Sequence, residues 1–174
     1  MVGPLEIDFP EMYISHGQYQ SGPHLAKQLL DFPDSNLNQK QLQQVLGIIN
    51  FIRDFIPHVS HSASVLSALL NKNPPPRSPH HTEVVATFKN MAQRPPPLTI
   101  PSIGQLILQT DDSDDYWEQS LFEEKEGKQS YCGHASGQFK NAQKHYHTIY
   151  KEILTVKYGI QKFDFHLRTR CFTV

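Results

Sequence analysis

Cysteine is scarce: two in 174 residues, Cys132 and Cys171, far apart and without CxxC spacing. That excludes a disulfide framework and a thiolate zinc knuckle, and makes a reducing compartment the default. No apolar run approaches the length of a membrane span, and no basic start precedes a hydrophobic stretch of signal length, so the expectation is a soluble intracellular protein without membrane contact. Net charge is lacking too, at −1 from 16 Lys and Arg against 17 Asp and Glu. Such an average neither requires nor forbids a basic groove beside an acidic site. Apolar residues make up 38%, enough for a buried core and too many for a disordered tail.

Proline, by contrast, is plentiful at 13 residues, and it punctuates the first hundred positions. His16-Gly17 between Met12-Tyr13 and Tyr19 reads as the turn of a small hairpin. Pro23 suits the first position of a short helix through Leu25, Leu29 and Leu30, which Pro33 ends. A longer helix is predicted from the cap Asn38, with Leu42, Val45, Leu46, Ile49, Ile52 and Ile56 on one face, until Pro57. Ser60 or Ser62 suits the cap of a third helix bearing Leu66, Leu69 and Leu70. The segment Asn73 to Pro79, NPPPRSP, is predicted as an extended connector, and Thr82 to Gln93 as a fourth helix closed by Arg94-Pro95-Pro96-Pro97.

From Pro101 the texture changes to β. Leu106 to Gln109, Leu121 to Glu123 and Gln129 to Ser136 read as strands, with Gly127 as the pivot between the last two. A single long helix is predicted from Asn141, with Tyr146, Ile149, Tyr150, Ile153, Val156, Ile160 and Phe163 as its apolar, inward stripe, and Arg170 to Val174 begins a further strand. The fold class expected is α+β: a helical segment over residues 1–100 followed by a mixed sheet with one long helix over residues 101–174.

Three stretches carry a resemblance. Leu42 to Pro75 (LQQVLGIINFIRDFIPHVSHSASVLSALLNKNPP) resembles the segment that follows the palm in reverse transcriptases of plant pararetroviruses (caulimovirus-like) and gypsy-like retrotransposons. Ile107 to Trp117 (ILQTDDSDDYW) resembles the first strand of their RNase H domain, TDASDxxxGAVL. Ala135 to Phe163 resembles the family stretch S-x-x-F-x-x-A-E-x-x-Y-x-x-x-x-K-E-x-L-A, which holds a helical glutamate. The motifs occur in family order. The resemblance implies a thumb- or connection-like helical part, residues 1–100, and a truncated RNase H-like domain, residues 101–174. No paired-aspartate palm motif is present, which excludes a polymerase site in this chain.

The activity so implied is cleavage of the RNA strand of an RNA–DNA hybrid by two-metal hydrolysis, with Mg²⁺ as cofactor. By resemblance Asp111 and Glu152 are the catalytic and metal-binding carboxylates. The family's third and fourth acids have no counterpart among these residues, so the expectation is weak or partial Mg²⁺ binding and an inactive isolated chain. A non-catalytic viral remnant, or a weak nucleic-acid-binding module, is the competing expectation. Glu152 falls about 60° from Ile149 and about 100° from Ile153, at the edge of the apolar stripe. Asp112, Asp114 and Asp115 read as a solvated acidic turn. Arg53, Lys72, Lys140, Lys144 and Lys151 are the candidates for phosphate contacts. His145 and His147, about 200° apart on a helix, cannot grip one zinc ion together, and no zinc is expected. An uncovered sheet edge at Cys171 to Val174 carries the expectation of self-association.

Overall fold

The computed structural model describes residues 6–9 and 12–174. The turn foreseen at His16-Gly17 forms, with φ of 51° and 75°, the two positive values that a tight two-residue hairpin needs. It joins β2 (Met12–Ser15) to β3 (Gln18–Ser21), and β1 (Glu6–Phe9), which has no clear sequence signal, pairs antiparallel with β2.

Four helices follow: α1 (Pro23–Leu30), α2 (Gln39–Phe51), α3 (Val59–Ala68) and α4 (Pro79–Gln93). Asn38 caps α2 reciprocally. Its side chain accepts from the Gln41 amide, and the Gln41 side chain accepts from the Asn38 amide, both at 2.9 Å. Helix α2 stops before Pro57, and a 3₁₀ turn over Arg53–Phe55 carries Phe55 into the core, where its ring meets Tyr19 edge-on at 5.6 Å. Neither Ser60 nor Ser62 caps α3, because the helix begins at Val59, directly after His58 in a left-handed conformation. Helix α4 starts at Pro79, three residues earlier than Thr82. The proline lacks an amide that the first turn does not use, and His81 Nδ1 accepts from the Ser78 amide at 3.1 Å. Leu29, Leu42, Val45, Ile49, Leu66 and Phe88 form the buried centre of these helices.

The described chain divides into two compact units, one through Pro96 and the other from Pro97 to Val174. The second unit contains β4 (Leu98–Thr99), β5 (Gln105–Asp112), β6 (Tyr116–Lys125), β7 (Lys128–Gln138), α5 (Asn141–Lys144), α6 (Thr148–Lys162), α7 (Asp164–Leu167) and β8 (Phe172–Thr173). Strands β7, β6, β5 and β8 form one sheet in that order, antiparallel except for the parallel β5–β8 pair. The turn between β6 and β7 places Glu126 and Gly127 at positive φ.

Two expectations about the long helix are corrected. It is broken: α5 ends at Lys144, and α6 restarts after His147, whose ring nitrogen accepts from the Ile149 amide at 3.4 Å. Its apolar stripe is also not the inward face, except at Phe163, which is buried where α6 ends. Tyr146, Ile149, Tyr150, Ile153 and Ile160 are exposed, whereas Lys151, Thr155 and Gly159 are buried. The sheet selects the small side because α6 lies close upon it. A Cβ on Gly159 would stand 2.9 Å from a Leu108 methyl and 3.2 Å from the Gln119 amide carbon. Gln119 then donates to the Thr155 carbonyl at 2.5 Å, so a glutamine is accommodated in the layer where alternation along β6 requires one face to hide a polar residue. Trp117 lies across Gly137, whose absent Cβ leaves room for the indole, and reaches Tyr158 of α6 at 5.1 Å between rings.

Candidate carboxylate site and cationic groups

Alternation along β5 is legible in its burial: Leu106 and Leu108 are fully buried beneath α6, and Ile107 and Gln109 are not. Thr110 and Asp112 continue the helix-facing side, and Asp111 continues the other, exposed and directly across from Glu118 of β6. Asp112 is therefore the aspartate that shares a face with α6. Burial first, then the charges of Glu152 and Asp111, push its carboxyl above the usual value, and Lys151 opposes them. Asp112, a residue the motif alone passes over, is thus the acid that feels the charges of both Asp111 and Glu152.

The acidic turn is not simply solvated. Asp115 forms a 3.1 Å ion pair with Lys144, and its carbonyl accepts from the Phe139 amide at 2.8 Å. Lys151 is buried and donates to the Asp114 carbonyl at 3.1 Å and to its carboxylate at 3.4 Å, with Phe139 beneath it. Of the five cations proposed for phosphate contact, Lys151 is thereby engaged inside the protein and Lys144 is paired. Lys72 and Lys140 are exposed, and half-buried Arg53 donates to Asn50 at 3.4 Å.

The donor set does not fit a two-ion centre. Among the described residues no group of three or more His, Cys, Asp or Glu side chains is placed to hold a metal.

Glu123 occupies the far end of β6 and has a different role. It is buried and accepts from the amides of Ser102 at 2.7 Å and Gly104 at 2.8 Å, with Arg170 at 3.5 Å. Burial pushes its carboxyl up, and these donors more than offset that and hold it below the usual value.

Residues 77–174 match the family model described as an RNase H-like domain found in reverse transcriptase. The chain is 48% identical over 162 residues to the genome polyprotein of Petunia vein clearing virus (isolate Shepherd), covering 93% of this chain and 7% of the polyprotein. It is 36% identical over 168 residues to the enzymatic polyprotein of Cauliflower mosaic virus (strain Strasbourg), covering 93% of this chain and 25% of that protein. Among solved structures it resembles the foamy viral protease-reverse transcriptase in complex with dsDNA, at TM-score 0.79 and 18% identity, over 97% of this chain and 36% of that one. The same enzyme in complex with an RNA/DNA hybrid aligns at TM-score 0.74 and 20% identity, over 92% of this chain and 22% of that one. The chain spans about a quarter of the length, or less, of the curated polyproteins it matches.

Proposed function

Because the chain belongs to the family of RNase H-like domains found in reverse transcriptase, we propose that it is a duplex-binding part of a pararetrovirus-type reverse transcriptase. In this reading the helical unit is the thumb- or connection-like segment that follows the palm, and the sheet unit is the RNase H-like layer. The ligand is an RNA–DNA hybrid, recognised through its backbone and shape rather than its sequence. The complexes of the foamy viral enzyme with dsDNA and with RNA/DNA hybrid support that ligand class.

The observation that carries the catalytic part is that Asp112 lies on the helix-facing side of β5, where burial and the charges of Glu152 and Asp111 raise its carboxyl, with Asp111 one residue away on the opposite face. Two-metal hydrolysis requires several carboxylates, because two divalent ions held close together repel each other and their ligands must offset that. Two or three acids bind Mg²⁺ mainly through its own waters, with a dissociation constant on the order of 10⁻³ M or weaker. The chain therefore binds hybrid without turning it over.

A labelled hybrid incubated with the chain and Mg²⁺ tests both halves. Retarded but uncut hybrid is the expected result. Robust cleavage abolished by Asp111→Asn or Asp112→Asn would overturn the inactive assignment, and absence of any hybrid binding would overturn the ligand.

A further inference from the structure

The chain holds one Ser-Pro or Thr-Pro dipeptide, Ser78-Pro79, and it falls within an unbroken run of exposed residues, 71–80. Residues 74–78 form neither helix nor strand, and Ser78 itself is extended, with φ of −135° and ψ of 164°. Pro74, Pro75 and Pro76 favour that state, since each fixes its own φ and turns the residue before it away from helix. On the other side α4 begins at Pro79, but its first buried side chains are Val84 and Val85. The first turn is therefore able to open without disturbing the core. Ser78 Oγ lies 2.9 Å from His81 Nδ1, Arg77 is the preceding residue, and the first turn of α4 carries no acid.

We propose that Ser78 is a phosphorylation site for a proline-directed serine kinase. A kinase takes its substrate as an extended chain with the hydroxyl free to approach the nucleotide, and residues 74–78 are in that state in the folded protein. Proline after the serine is selected where the kinase offers no acceptor for the next amide, because only proline brings no N–H to be left unpaired. The γ-phosphoryl group of ATP passes to Ser78 Oγ: the new P–O bond forms as the bond to ADP breaks, and the hydroxyl proton goes to the kinase's catalytic carboxylate. The product is a dianion seated at the start of a 15-residue helix, beside Arg77 and two histidines, His80 and His81. Helix dipole and cations both favour it there, so the modification fastens the first turn of α4 instead of melting it. The proposal does not rest on the nucleic-acid reading.

The full chain, folded, is incubated with a purified proline-directed serine kinase and ATP, and the phosphate is located by peptide mass spectrometry. A synthetic peptide of residues 71–83 sets the rate for a fully open site. The folded chain should take up a single phosphate, on Ser78, at a rate within about threefold of the peptide's, because opening the first turn costs little. Pro79→Ala keeps the hydroxyl and puts a good helix former at the first position, and it should slow the reaction about tenfold or more. The phosphorylated chain should melt about 2–4 °C higher than the unmodified one. A folded chain left unmodified while the peptide is consumed would overturn the site, as would phosphate placed on other residues or an undiminished rate in Pro79→Ala. A melting temperature that stays or falls on phosphorylation would overturn the seating of the phosphate on α4.

Discussion

The two thiols report opposite environments. Cys132 is buried in the sheet unit, and burial together with the nearby Glu123 charge pushes its pKa up to about 11, whereas Cys171 is exposed. Alkylation of the folded chain near pH 8 should modify Cys171 alone, and both thiols after denaturation. Mass spectrometry that finds Cys132 modified in the folded state would contradict the burial. Glu123 gives a pH dependence with a definite sign. Its folded-state carboxyl sits below the unfolded value, so its stabilisation is complete above the ordinary glutamate range and is lost as pH falls through the depressed value. Glu123→Gln should cost about 2 kcal/mol at pH 7 and flatten the acid limb of the melting curve, because an amide cannot serve two amide donors and a guanidinium as a carboxylate does. Asp112 has the opposite sign. Its carboxyl is raised, so the charged form is unfavourable at neutral pH, and Asp112→Asn should raise the melting temperature there, by an amount corresponding to roughly 0.5 kcal/mol for a partly screened like-charge contact.

At the scale of elements, the approach of α6 to β5 and β6 rests on Gly159. Alanine gains about 1 kcal/mol of helix propensity, but its methyl must displace Leu108, which is fully buried and has nowhere to move. Gly159→Ala should therefore destabilise the sheet unit by about 1 kcal/mol net in thermal unfolding, and a gain would mean that α6 is less tightly seated than the structure shows. The same helix marks where the sequence stopped being readable. The hairpin at His16-Gly17, the Asn38 cap and the strand order follow from local chemistry and are present, whereas the cap of α3 and the start of α4 fall elsewhere than the sequence suggested. The periodicity of α6 was equally clear, but a period shows only that two faces differ. Which face is inside depends on how closely the sheet approaches, and Lys151, Thr155 and Gly159 are acceptable inside because Asp114, the Lys151 carbonyl and Leu108 receive them. The candidate site shows the same limit. The motif pointed to Asp111, but which of two adjacent aspartates faces a helix is a matter of strand parity relative to a partner far along the chain.

For the whole molecule, hybrid binding should be salt-dependent but shallow. With Lys151 and Lys144 engaged by aspartates, about two to three cations remain for phosphates, and affinity should fall roughly 10- to 40-fold between 50 and 200 mM salt. A much steeper slope in a filter-binding titration would mean that the internal ion pairs open on binding. The parallel contact of β8 with β5 touches the question of time. Phe172 and Thr173 meet Leu106 and Ile107 across nearly the whole length of the unit's chain, whereas β5, β6 and β7 are joined by tight turns. Closing so long a loop for a two-residue ladder is entropically costly, so this ladder should form last and open first, without the rest of the sheet unfolding. In native-state hydrogen exchange, the amides at 172 and 173 should take up deuterium through frequent local fluctuation, while those of Leu108 and Leu121 wait for the rare global opening.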